Sequence, residues 1–282
     1  MRVVWTCTHL NKMEILSTLL QYEFLQRALI TGLFLGVLYA FLGTYTVIKK
    51  MAFFADGIAH ASLLGIAIGI AVQKESFFFA MGIALLFGLL VYILEKKTTV
   101  ANDVVISLLF TAGLSGGIII LSLIPGYKPD ILSYLFGNIL TITQTDYYLI
   151  IASSLAFLTY IILHRAMLFL SFFDPVEARL RGIPVARYEL SFYILLSLAV
   201  ILGVKMLGVV LVSALLVIPS FVGFAISPNF RSLFAINTLI AVIMIVTGIC
   251  LSFLLNLPAG ATIVLTGTVI VLWVLLYRKF LG

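Results

Sequence analysis

The amino-acid sequence predicts an all-α polytopic membrane protein of about nine transmembrane helices, with eight as the alternative count. Composition is the first observation. Of the residues, 63% are hydrophobic and 10% charged, and the mean hydropathy is +1.25, far from the balance of a soluble domain. The second observation is that apolar runs of membrane length fill the chain, since a hydrocarbon core of about 30 Å needs about 20 helical residues. The third is that lysine and arginine fall in short clusters between those runs, as loop charges do. The 282 residues leave no room for a separate soluble domain, and the net charge of +6 reads as membrane topology rather than as a nucleic-acid footprint. Cys7 and Cys250 are far apart and suggest neither a disulfide framework nor a zinc cluster.

Residues 1–24 read as a tail or interfacial helix and 25–282 as the transmembrane domain. The opening MRVVWTCTHLNKMEI is too mixed for the apolar core of a signal peptide. Ile15, Leu19, Tyr22 and Gln26 share a face that is only partly apolar, which suits a helix lying on the membrane surface. Cys7 and His9 are a weak metal pair, and a flexible tail is the better reading. The first span runs from about Arg27 to Ile48 and stops at Lys49-Lys50; its Gly32, Gly36 and Ala40 form a small-residue stripe that lets another backbone approach. The second, Met51 to Val72, repeats the device with Ala61, Gly65 and Gly69. The third covers Phe77 to Leu94 and stops at Glu95-Lys96-Lys97, and the fourth, Val104 to Ile124, closes at Pro125-Gly126. None of these glycines belongs to a G-x-x-x-x-G-K-[ST] loop, so the chain has no P-loop for nucleotide. Between Pro125 and Asp146 the sequence is too polar for a full span plus loops, and Leu132 to Thr141 is expected to be a short re-entrant or interfacial helix. A fifth span, Tyr147 to Leu163, ends at His164-Arg165.

The next segment differs in kind. Asp174 is an N-cap candidate, Pro175 takes the first helical position, and Glu177 stands three past the cap as a capping box requires. Gly182 and Pro184 stop the helix, leaving about seven residues with Arg179 and Arg181 between two membrane spans. Such a helix suits a docking knob, or equally a loop helix resting on the headgroups. Four spans follow: Leu190 to Met206, Val209 to Ile226 with Pro219 inside it, Leu233 to Leu255, and Ala259 to Leu276. Lys205, near the end of the first of these, is expected to snorkel to the interface.

Nine crossings put the termini on opposite sides. One side collects Lys49, Lys50, Lys96, Lys97, Arg165, Arg179, Arg181, Arg187, Arg231, Arg278 and Lys279, against Arg2, Lys12, Arg27, Lys74 and Lys128 on the other. The richer side is expected to be cytoplasmic, which places the capped helix and the C-terminus in the cytosol.

Within the second span, MAFFADGIAHASLLGIAIGIAV, stand one acid and one imidazole. Asp56 and His60 are four apart, so a helix sets them on one face a turn apart. By residue count His60 lies near mid-bilayer, with Asp56 about 6 Å nearer the lysine pair. Ionisable groups at that depth usually mark an ion or substrate path. The alternative is that Asp56 caps a helix that starts there while His60 bonds a neighbouring carbonyl.

In order along the chain, MAFFADGIAHASLLGIAIG (51–69), ILSYLFG (131–137), FFDPVEARLRGIP (172–184), VKMLGVVLVSALLVIPS (204–220) and LPAG (257–260) resemble a permease subunit of the zinc/manganese/iron family of ABC importers. The resemblance covers about Leu25 to Lys279. It is nearest to high-affinity zinc-uptake members, because other members tend to have proline where Leu64 stands. The resemblance implies a non-catalytic permease that works as a homodimer with two cytosolic ABC ATPase subunits and an external metal-binding protein in a bacterial-type plasma membrane, without a permanently bound cofactor. It also implies that Asp56 and His60 attend metal passage. The segment bearing Asp174, Pro175, Glu177, Ala178, Arg179 and Gly182 would be the coupling helix that meets the ATPase. In a two-fold dimer two Asp and two His would supply four ligands, a set suited to tetrahedral zinc; a manganese or iron importer of the same family is the alternative.

Rival classes read differently. An ion-coupled secondary transporter also has midplane ionisable groups but runs without an ATPase. An intramembrane enzyme needs a nucleophile–base pair or a multi-ligand metal site in one chain, and neither is visible. A cobalamin or siderophore permease has no need of the Asp56/His60 pair.

Overall fold

The structure, a computed structural model, describes residues 23–124 and 143–281, so the expected re-entrant segment at 132–141, the ILSYLFG stretch and the N-terminal tail to residue 22 lie outside the described residues. Among the described residues every regular element is helical: α1 (Glu23–Ile48), α2 (Phe54–Ala71), α3 (Ser76–Lys97), α4 (Asn102–Leu123), α5 (Gln144–Phe173), α6 (Pro175–Leu180), α7 (Val185–Leu207), α8 (Val209–Ile226), α9 (Phe230–Leu255) and α10 (Ala259–Leu281). All but α6 are long and apolar enough to cross a bilayer, which gives nine candidate spans among the described residues. The fold class and the span order match the sequence reading.

The boundaries differ from expectation in places: α2 starts three residues late, α7 starts five residues early, α10 runs five residues longer, and α5 differs most. α5 does not stop at His164-Arg165 but continues to Phe173 as a helix of 30 residues. Nothing at 164–165 breaks a helix, because a basic residue at the interface can stand in one; the stop comes only where Asp174 and Pro175 open the next helix. At about 1.5 Å per residue, α5 is roughly 45 Å long and reaches beyond a ~30 Å core.

The helices are layered by burial. α7 is the most buried span, with 72% of an 18-residue stretch buried, and α1 and α2 also bury more than half of theirs, whereas α4, α5 and α10 bury only 22%. α2 is held between α3 and α4, α1 packs on α8, α9 and α5, and α7 packs on α3, α5 and α8. Small residues permit this closeness. A Cβ at Gly65 would run into the backbone of Phe79 and Ala80 on α3, and one at Gly117 of α4 would meet the backbone at Leu63 and Leu64. The stripe on α2 therefore seats a backbone, as its spacing predicts.

At the basic end of the bundle, charges that look like independent loop residues in the sequence meet. Lys49, just past α1, reaches Glu95 of α3 at 2.9 Å and Glu189 of α7 at 2.8 Å. Lys96 pairs with the second oxygen of Glu189 as an ion pair, and the Tyr193 hydroxyl donates to Glu95. Glu189 is 3% exposed. Burial works against the charge on Lys49, but hydrogen bonds and charge from Glu189 and Glu95 more than reverse this, so its ammonium is held above the ordinary lysine value. At the opposite end Lys205 does not stand alone in the headgroups: its ammonium sits 2.8 Å from Asp146 and over the Phe77 ring. The reason is local, since α5 begins beside the end of α7 and brings an acid within reach.

Candidate functional site

α2 begins late. Lys49 lies in the ion network, and the chain then turns inward through Met51, which is fully buried with its sulfur 3.1 Å from Tyr193 Oη. Phe54 opens the helix, and Asp56 falls in its first turn. The N-cap residue is Phe53, with no side-chain cap bond, so Asp56 is not the cap. It still lies where the helix dipole favours an anion.

Asp56 faces α8, where Ser213 Oγ donates to its Oδ1 at 2.7 Å. Ser213 is one turn in from the far end of α8, while Asp56 is in the first turn of a helix that starts from the basic side. Their contact sets Asp56 between the two faces of the bundle. The other carboxylate oxygen has no hydrogen bond among the described residues. His60, one turn on, stands edge-on to Phe110 of α4 with ring centroids 4.9 Å apart, and among the described residues no carbonyl bonds its nitrogens.

The two side chains line one cavity of about 340 Å³ between α2 and α4, together with Phe53, Gly57, Ile106, Ser107 and Phe110. Asp56 and His60 are half-buried, while Phe53 and Ser107 are exposed, so the cavity lies at the rim of the chain rather than in its core. Among the described residues no three His, Cys, Asp or Glu come together as a metal cluster. One chain therefore places one carboxylate and one imidazole in the same cavity, with the Ser107 hydroxyl in its lining. Ser213 and Phe110 were not singled out from the sequence. Ser213 had a signal: it is one of two hydroxyls in the otherwise apolar α8.

The second sequence-predicted site is α6. Asp174 caps it, its Oδ1 accepting from the amides of Val176 and Glu177 at 3.1 and 3.0 Å. The reciprocal half of the expected capping box is absent, because the Glu177 carboxylate turns to Arg181 Nε at 2.7 Å. Gly182, at φ +75°, ends the helix in a conformation that other residues rarely adopt. Ala178 is fully buried and anchors the helix, and Arg179 is exposed. Val176 and Leu180, four apart on one face, are 64% and 79% exposed. This bares an apolar pair on a short, doubly stopped helix, and neither residue was singled out from the sequence.

A bundle of this topology, with one acid and one imidazole in one cavity and a capped helix between spans, has the parts of a membrane permease. Comparison with known proteins gives the family. Residues 21–278 match the family described as ABC 3 transport family, and the chain belongs to it. It is a metal ABC importer permease. Similar proteins include the manganese transport system membrane protein MntC of Halalkalibacterium halodurans, 31% identical over 89% of this chain and 86% of that one. The high-affinity zinc uptake system membrane protein ZnuB of Haemophilus influenzae is 28% identical over 86% of this chain and 94% of its own. Among solved structures, PsaBC from Streptococcus pneumoniae in complex with Fab aligns with a TM-score of 0.80 and 26% identity, covering 93% of this chain and 94% of that one.

Proposed function

We propose that the chain carries a divalent transition metal through the membrane, with zinc as the favoured cargo and Asp56 and His60 as the residues that receive it. The observation that carries this reading is that the two line one cavity while no third ligand joins them among the described residues. Two copies related by a two-fold axis would bring two carboxylates and two imidazoles to one ion, the donor set and number zinc takes. Ser213 holds one Asp56 oxygen, and the other makes no hydrogen bond among the described residues. Few ligands per subunit also suit release, since a transported ion must not be trapped. Manganese is the second reading, favoured by the names of several relatives.

In this account the basic end faces the cytosol of a bacterial-type cell, as does the C-terminus. There α6 presents Val176, Leu180 and Arg179 to one of two ABC ATPase subunits, which supply the energy that this chain, lacking a P-loop, does not. An external binding protein delivers the ion to the opposite face. The chain itself is non-catalytic and keeps no resident cofactor.

Uptake of radiolabelled zinc and manganese by proteoliposomes holding the permease and its ATPase tests the proposal. His60→Ala and Asp56→Asn should each abolish or severely reduce uptake with normal assembly, and zinc should outcompete manganese in the parent. Near-normal uptake by both variants would remove the pair from the path.

A further inference from the structure

A second cavity, of about 760 Å³, opens at the basic end between α1, α5, the α6–α7 turn and α9. Its lining is aromatic: Phe41 of α1, Phe169 of α5, and Phe230 and Phe234 of α9, with Phe169 and Phe230 centroids 3.9 Å apart and Phe41 and Phe234 4.8 Å apart. Its rim carries Arg165, Arg181 and Arg231, all exposed, and no acid lines it. Arg181 spends its Nε on Glu177. Arg165 and Arg231 have no acidic partner among the described residues.

The depths of the two halves differ. Arg231 stands at the start of α9 and Phe234 one turn further in. Phe41 precedes the end of α1 by seven residues, about 10 Å toward the membrane interior. Arg165 lies 21 residues into α5, where a ~30 Å core ends. Arg165 and Arg231 thus sit at headgroup level with Phe41 and Phe234 on their membrane side, while Phe169 and Phe230 close the cavity on the outer side. Ile162, 48% exposed, opens the side of the cavity to lipid. Guanidinium binds phosphate in a bidentate fashion, and basic pockets between membrane helices suit anionic headgroups.

We propose that this cavity is a binding site for one anionic phospholipid, its phosphate on Arg165, Arg181 and Arg231 and an acyl chain along Phe41 and Phe234. The exposed apolar pair of α6 is not part of its lining, so the lipid would sit beside the docking helix without covering it. The site would tie the α5–α6–α7 corner to α9 through the bilayer.

The test uses the full chain with Trp5→Phe and Trp273→Phe, which removes both native tryptophans, and Ile162→Trp as reporter. Quenching by phosphatidylglycerol with brominated acyl chains is compared with quenching by brominated phosphatidylcholine. The anionic lipid should win by about tenfold, millimolar inorganic phosphate should leave that preference intact, and Arg165→Ala with Arg231→Ala should bring it to near unity. Arg278→Ala with Lys279→Ala, on the same side but outside the cavity, should leave it unchanged. Native mass spectrometry of the otherwise wild-type chain should show one retained phosphatidylglycerol that the double arginine variant loses, a readout independent of the reporter. Equal quenching by both lipids, a preference that survives the arginine substitutions, or displacement by free phosphate would overturn the proposal. So would loss of ATPase binding in the arginine variants with no lipid preference in the parent, which would make the cavity a protein-docking surface.

Discussion

Replacing Glu189 by glutamine gives the sharpest test of how the basic end is held. Glu189 is almost fully buried, 2.8 Å from Lys49 Nζ, and its second oxygen pairs with Lys96. Two unit charges 4 Å apart interact by about 4 kcal/mol at an effective dielectric of 20. Breaking a buried pair costs about 3–5 kcal/mol because a charge is left unmatched. Here the loss is smaller at both partners. Lys49 keeps Glu95, and the Lys96 side chain, 37% exposed, can turn to water. A cost of about 2–3 kcal/mol follows, which for a chain of this size is a fall of roughly 4–12 °C in apparent Tm. The exposed i,i+4 pair Glu177–Arg181 provides the contrast, since such pairs are worth about 0.3–0.5 kcal/mol. Thermal unfolding of both variants in one detergent, followed by circular dichroism, should separate them clearly. The sign of the pH dependence also follows. Lys49 titrates above the ordinary lysine value in the folded chain, so its share of the stability is complete below the unfolded value and is lost only as pH rises through the folded one. The deficit of Glu189→Gln should accordingly be constant between about pH 7 and 9. A shift no larger than that of Glu177→Gln would refute the reasoning and reduce the network to surface pairing.

Three other outcomes are expected. Ser213→Ala removes the hydrogen bond to Asp56, worth about 1.5–3 kcal/mol when the acceptor is charged, and should slow metal uptake about tenfold or more with assembly intact; unchanged uptake would mean that Asp56 needs no partner on α8. Asp174→Ala should cost α6 about 1 kcal/mol and weaken ATPase pull-down, Asp174→Asn should restore it, and equal binding by both would show that the cap does not shape the docking surface. Gly65→Ala forces a Cβ into the α3 backbone and should destabilise the bundle by about 3 kcal/mol, seen as a lower aggregation temperature; a parent-like temperature would show that α2 and α3 can part.

Much of this architecture was legible because bilayer length and hydropathy leave few alternatives. Span order, the small-residue contacts of α2 and the capped helix at Asp174 all follow from local chemistry. What was not legible depends on tertiary approach. Glu189 sits near the start of a span and looks like an interfacial charge; only the packing of α7 against α3 carries it to Lys49 and Lys96. The overrun of α5 was hidden because an arginine can end a span without ending its helix. Asp56 and His60 were marked by their cost in an apolar run, yet their partners Ser213 and Phe110 come from helices distant in sequence and bear no spacing signature. Val176 and Leu180 were missed because apolar residues draw no notice in an apolar chain, and their meaning comes from being exposed.

The central claim is that the passing ion touches the side chains of Asp56 and His60. X-ray absorption at the zinc edge, on the permease–ATPase complex trapped with metal in the membrane, tests it most directly. The account predicts a four-coordinate shell of nitrogen and oxygen at about 2.0–2.1 Å, with imidazole scattering that disappears in His60→Ala. A shell of oxygen alone in the parent, or one that His60→Ala leaves unchanged, would contradict it.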